Sequence, residues 1–208
     1  MKAYEIIQQI TPRLATEIVS YFYYSEREVY KTTVSTLSTQ RKLRPVFVTK
    51  KSRDKQFEWI VGALGTKRSD EIAQHLLQAW LMKARSDLLV SFLDELDVEH
   101  DGSGAVEELP KELDAAKVSA AIDKLLSEYS SEEVTIYLHL FQRQESEGWP
   151  EISEALEKDA RLKLGETAEA PEAGQPEEQE EPKEADEPVS GGGEKEAGSL
   201  EEDATPDS

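Results

Sequence analysis

The stretch from Asp97 to Glu108 has the arrangement of oxygen-bearing side chains that is closest to a metal site. It places acids at its first, third and fifth positions, glycine at the sixth and glutamate at the twelfth. An EF-hand loop binds calcium through oxygens at such positions, and its glycine allows the sharp turn between them. One prediction is therefore a calcium-binding domain with the ligands Asp97, Glu99, Asp101 and Glu108.

Three features of this stretch differ from a calcium loop. Glu99 is longer than the usual Asp or Asn, and Gly104 stands at the eighth position, where an apolar β-branched residue is usual. Pro110 follows where the outgoing helix should already have begun. No second loop of this kind occurs in the sequence. The competing interpretation is an acidic linker between helices, in which Asp101-Gly102 makes a turn.

Positive charge is concentrated between residues 41 and 55, where Asp54 is the only acid. Such a stretch could contact several phosphates, which makes a nucleic-acid-associated protein the first alternative function. The simpler interpretation is that these residues form a solvated surface, or that they pair with acidic residues in the other half of the chain. The predicted anion contacts are Arg41, Lys42, Arg44, Lys50, Lys51, Arg53 and Lys55.

Four consecutive aromatic residues, from Tyr21 to Tyr24, suggest a partner surface. Successive side chains on a helix point about 100° apart, so four in a row cannot all face one core. We therefore predict that part of this cluster contacts another protein, although aromatic residues at helical spacing are more often core. The predicted partner-binding residues are Tyr21, Tyr23, Tyr24 and Trp59.

No pattern typical of a catalytic site occurs in the sequence. The three histidines lack the paired spacing of a metal site, and no Gly-rich phosphate loop or nucleophile elbow is present. The chain has no cysteine, which excludes disulfides, thiolate ligands and a cysteine nucleophile. Close pairs of acids are expected by chance among 44 acidic residues. We therefore predict a protein that is not an enzyme and needs no cofactor.

Charge is distributed unevenly along the chain, whose net charge is −20. Residues 1–68 carry 13 basic and 6 acidic residues, whereas residues 69–163 carry 9 and 22, and residues 164–208 carry 2 and 16. The segment 165–208 contains no aromatic residue and cannot bury enough apolar surface to offset its ordering entropy, roughly 1–2 kcal/mol per residue. It is predicted to be a disordered acidic tail, which either gates the basic stretch or only keeps the protein soluble.

Apolar periodicity predicts an all-α fold for residues 1–164. Pro45 should interrupt the helices and leave Val46–Val48 as a short extended segment. Ser25, with Glu28 three residues later, is typical of a capping box. Other helix boundaries are indicated by Thr11-Pro12, Gly65, Asp70, Ser86, Ser130 and Pro150.

An internal echo at an offset of 45 residues relates the helices around Trp80 and Phe92 to those around Leu125 and Tyr137. That offset lies in the range of HEAT and armadillo repeats, although any two amphipathic hairpins partly superpose. The predicted architecture is therefore a compact bundle or a short HEAT/armadillo-like array of about seven helices. Sub-halves 1–68 and 69–164 are a further expectation.

These features together favour a non-catalytic protein-interaction or regulatory module whose partner is another protein. Nucleic acid is the alternative partner, and a membrane is not expected because no long apolar run occurs. The first five residues include an acid where a signal peptide needs an apolar segment. A cytoplasmic location is therefore predicted.

Overall fold

A computed structural model of the chain describes residues 1–144 and 148–165, which belong to one compact unit, Met1–Ala168. Within these described ranges the fold is all-α, as predicted, with no strand. The predicted acidic tail lies outside the described residues except for Gly165. The helices are α1 (Ala3–Gln9), α2 (Pro12–Ser25), α3 (Arg27–Gln40), α4 (Pro45–Thr49), α5 (Arg53–Leu64), α6 (Asp70–Ala84), α7 (Ser86–Glu95), α8 (Ala115–Glu128), α9 (Ser131–Phe141) and α10 (Pro150–Lys158).

Several predicted helix boundaries are confirmed at the level of hydrogen bonds. The hydroxyl of Thr11 accepts the Leu14 N–H at 3.3 Å and caps α2. Ser130 and Glu133 form a reciprocal capping box at the start of α9. These side chains satisfy N–H groups that the first turn of a helix cannot pair internally. Gly65 is the C-cap of α5, and its N–H donates to the Val61 carbonyl.

Two local predictions are wrong. Ser25 is the last residue of α2, and Glu26 precedes α3 without a side-chain cap. Val46–Val48 is helical, because Pro45 is the first residue of α4 and does not interrupt a helix. Its fixed φ and missing N–H suit that position. The described residues contain ten α-helices where about seven were expected, and α1 and α4 are two that the sequence did not predict.

The helices form a bundle and not a linear array. In an array each repeat contacts only its sequence neighbours. Here α6 packs against α1, α2, α5, α7 and α9, and three of these are not its neighbours in sequence. Trp80 on α6 is 1% exposed. In the described part of the chain, no helix is long and apolar enough to cross a membrane.

The echo at 45 residues coincides with two helix pairs. α8 begins 45 residues after α6, and α9 begins 45 residues after α7. Their environments differ, because α9 is buried on all sides from Glu133 to Leu138, whereas α7 keeps an exposed face. A duplication of one ancestral pair stays a prediction.

The burial of α9 gives the fold a dependence on pH through His139. Burial first, and then the N-terminal amine and Lys163, lower the pKa of His139 from 6.5 to about 4. In the unfolded chain this imidazole binds a proton below about pH 6.5, whereas in the folded protein it stays neutral. Its contribution to stability is therefore complete above the unfolded pKa and is lost as pH falls toward the folded pKa. We expect the free energy of unfolding to fall by about 2 kcal/mol through this group between about pH 7 and pH 5.

Urea denaturation of the wild type and of His139→Gln at both pH values measures this effect. Carboxylates that titrate in the same range contribute equally to both proteins, so the difference isolates the imidazole. An identical loss of stability in the two proteins would contradict the prediction.

Candidate interaction surface

The short helix α4 presents apolar side chains to solvent. Val48 is 1% exposed and anchors the helix, whereas Val46 is 45% and Phe47 is 60% exposed. Successive helical residues point about 100° apart, so a short helix that buries Val48 on one face leaves its neighbours Val46 and Phe47 on the outside. Leu43, just before the helix, is 42% exposed. We refer to Leu43, Val46 and Phe47 as the apolar tip.

The turn between α3 and α4 directs Leu43 outward. Lys42 has a φ of +56°, in the left-handed region that non-glycine residues rarely adopt. The next N–H, that of Leu43, donates to the Ser38 carbonyl at 2.8 Å, and the Lys42 N–H donates to Thr39. These bonds satisfy carbonyls at the C-terminus of α3 and hold the turn in place.

Side chains of α3 and α5 fix the far end of α4. The amide of Gln56 on α5 donates to the carbonyls of Thr49 and Lys51, at 3.2 and 2.8 Å. The hydroxyl of Tyr30 on α3 donates to the Gln56 side-chain oxygen at 3.0 Å. Burial, with a smaller contribution from Tyr23, raises the pKa of Tyr30 to about 12, so this hydroxyl remains a donor. These hydrogen bonds therefore hold the end of α4 next to the apolar tip.

All seven predicted cations lie at exposed positions and flank the tip in the sequence, and we call them the basic surface. Two of them are engaged. Arg53 donates to the hydroxyl of Tyr24 at 2.7 Å, and Arg41 lies over the ring of Trp59, 5.9 Å from its centroid. The others form no side-chain hydrogen bond or ion pair with any residue of the described ranges: Lys42, Arg44, Lys50, Lys51 and Lys55.

The aromatic cluster is divided between core and surface, as its spacing requires. Phe22 is buried and Tyr24 is 64% exposed, whereas Tyr21 and Tyr23 are half-buried. Tyr23 makes edge-to-face contacts with Tyr30 and Phe57, with centroids 5.2 and 5.5 Å apart. Of the predicted partner-binding aromatics, Tyr24 is therefore the accessible one, and its bond to Arg53 joins it to the basic surface. Trp59 is half-buried under Arg41.

The four predicted calcium ligands do not converge. Asp97 pairs with Lys117 at 2.5 Å. Asp101 accepts the hydroxyl of Ser103 at 2.7 Å and its N–H at 2.8 Å, and these bonds lower the pKa of Asp101. Within residues 1–144 and 148–165, no group of three or more His, Cys, Asp or Glu could hold a metal ion. The geometry agrees with the alternative interpretation, a linker with a turn at Asp101-Gly102, and the calcium site stays a prediction without structural support.

The apolar tip is the part of this surface that sequence reasoning missed. The sequence carried a signal for it, namely three consecutive apolar residues inside a cationic stretch. The prediction that Val46–Val48 is extended implied a different pattern of exposure, because a strand exposes alternate residues and not two neighbouring ones.

Comparison with family models, with curated proteins and with solved structures finds no significant match to this chain.

Proposed function

We propose that this chain is a non-catalytic interaction module that binds another protein through the apolar tip and the basic surface. The observation that supports this proposal is the exposure of Val46 and Phe47 among cations. Aromatic and arginine side chains are enriched at the centres of protein interfaces, whereas lysine is more often found at their rims. Burial of the tip against a partner would release about 25 cal/mol for each Å² of apolar surface removed from water.

Substitution of the most exposed residue tests the proposal. In Phe47→Ser, capture of partner proteins by the immobilised full chain is expected to fall at least tenfold, a change of about 1.4 kcal/mol in binding. The melting temperature should stay unchanged, because exposed substitutions usually alter stability by less than about 0.5 kcal/mol. Quantitative mass spectrometry of the captured proteins provides the measurement.

Met82→Ser is the matched control, because Met82 is 50% exposed on α6, outside the apolar tip. We expect the wild type and Met82→Ser to capture the same proteins, and Phe47→Ser to lose them. Equal capture by Phe47→Ser and the wild type would show that the tip is not the interface.

Nucleic-acid binding is the second candidate, supported by the five cations without partners among the described residues. In that function the acidic segment 165–208 would gate access to the basic surface. Affinity for labelled DNA or RNA should then decrease with salt, with a slope of roughly 0.7–0.9 per phosphate contact. Lys50→Glu should weaken such binding, whereas Phe47→Ser should leave it nearly unchanged.

A further inference from the structure

We infer that the ligand of this surface is a short acidic peptide segment that also carries aliphatic or aromatic side chains. The inference rests on the proposed function and specifies the chemistry of the partner. It follows from three properties of the surface, which are its local charge, the type of its exposed apolar residues and its preformed geometry.

Charge complementarity favours an anion of limited length. Residues 41–55 contain seven basic residues and one acid, in a chain whose net charge is −20. Electrostatic interactions decay over about 8 Å at physiological ionic strength, so a short anionic segment interacts mainly with this local positive charge. An extended polyanion or an anionic membrane would also face the acids of the rest of the molecule.

The exposed apolar residues favour a peptide over a nucleic acid. Leu43 and Val46 are aliphatic, so they cannot stack on bases as aromatic side chains do. They add nothing to phosphate binding, yet they stand among the cations. A peptide with carboxylates and apolar side chains satisfies both parts of the surface. Phe47 would be the main contact between the surface and this peptide, because a few large side chains usually supply most of the binding energy of an interface.

The tip is already held in the conformation in which it would bind. Val48 is buried, and Gln56 ties the end of α4 to α5. Tyr24 and Arg53 hold each other at the edge of the same surface. A backbone that is already held avoids its own ordering cost on binding. This rigidity allows a short segment to bind measurably.

Selection from random dodecapeptides displayed on phage, with the immobilised full-length chain as target, tests the inference. The enriched peptides are expected to combine several Asp or Glu residues with Leu, Ile, Phe or Trp. A fluorescein-labelled copy of the most enriched peptide is then titrated with the full chain, and anisotropy reports its affinity.

Matched variants locate the binding site of that peptide. Affinity should fall at least tenfold for Phe47→Ser and for the double variant Lys50→Glu/Lys51→Glu. It should stay within twofold of the wild type for Met82→Ser and Lys111→Glu, since both residues are exposed away from the tip. Peptides in which Glu is replaced by Gln, or Leu by Ser, should each lose at least tenfold.

The outcomes separate this inference from the proposed function. Enrichment of neutral or basic peptides that lose binding with Phe47→Ser would overturn the acidic chemistry and leave the interaction surface standing. Peptides insensitive to Phe47→Ser, or no enrichment at all, would count against both. Tighter binding to phosphatidylserine vesicles or to a single-stranded oligonucleotide than to the selected peptide would also overturn the inference.

Discussion

Replacing Trp149 by alanine should lower the free energy of unfolding by about 3–5 kcal/mol, the usual cost of truncating a large buried aromatic residue. Trp149 is 0% exposed, and its ring stacks on Phe141 with centroids 4.7 Å apart. Its indole N–H donates to the Pro110 carbonyl at 2.9 Å. The substitution removes the stacking, leaves a cavity and leaves that carbonyl without its donor. The midpoint of urea denaturation at an unchanged m-value measures the loss.

Trp149→Phe separates packing from hydrogen bonding. It keeps an aromatic ring against Phe141 but leaves the Pro110 carbonyl unpaired, which should cost about 1–3 kcal/mol. Trp59→Ala is the matched control, because Trp59 is half-buried and should cost less than Trp149→Ala. Equal losses for Trp59→Ala and Trp149→Ala would mean that Trp149 does not pack as described.

The Trp149 contact matters because it holds the long connection 97–114 on the helices. This connection has no helix of its own, yet Leu113 is buried and Gly104 lies directly on α7. A Cβ at Gly104 would come within 2.6 Å of the Leu89 Cβ, and φ at Gly104 is +88°. Only glycine fits that backbone without strain. The loop is therefore a packed element, and its attachment through Pro110 contributes to the stability of the whole unit.

The sequence predicted the long helices because their apolar spacing reports burial directly. Leu14, Ile18 and Phe22 of α2 were expected on one face, and all three are buried. The helices α1 and α4 were missed because seven and five residues are too few to show a period. Isolated helices of that length are marginal in water. They form here because residues such as Ile6 and Val48 are buried against the rest of the bundle.

The candidate surface could be predicted only in part. The sequence alone located the cations and indicated that part of the aromatic cluster had to be exposed. It could not show that Tyr23 packs on Phe57 while Tyr24 reaches Arg53, because those contacts depend on how α2 and α5 pack. The positions of the predicted calcium ligands could not be predicted from the sequence either. The path of residues 97–108 depends on local hydrogen bonds, such as the one between Asp101 and Ser103.

Ion pairs between residues far apart in the sequence were the least predictable feature. We expect the pairs formed by Arg85 to contribute strongly to the stability of the fold. Arg85 occupies the single-residue break between α6 and α7. Its guanidinium donates to Glu133 at 2.5 Å and to Glu17 at 3.0 Å, and it lies 5.2 Å from the Trp80 ring centroid. These partners are 48 and 68 residues away in sequence, where no pattern connects them.

Arg85→Met is therefore expected to destabilise the fold by about 2 kcal/mol, less than the cost of breaking a fully buried ion pair because 27% of the Arg85 side chain is exposed. The side chain of Glu133 is only 11% exposed, so its carboxylate would stay buried without a cation. Glu17, with 48% of its side chain exposed, is the internal control, and Glu17→Ala should cost less than about 1 kcal/mol. Urea denaturation of each variant provides the measurement.

The double variant Arg85→Met/Glu133→Met decides whether the penalty comes from the orphaned charge. If it does, removing the second charge recovers much of the loss, because an apolar pair of similar volume often replaces a buried ion pair at little cost. Some loss should remain, since Glu133 also accepts the N–H and hydroxyl of Ser130 at the start of α9. A double variant whose loss equals the sum of the two single losses would show no coupling between the partners. In that case the cation–π contact with Trp80, and not the ion pair, would be the stabilising role of Arg85.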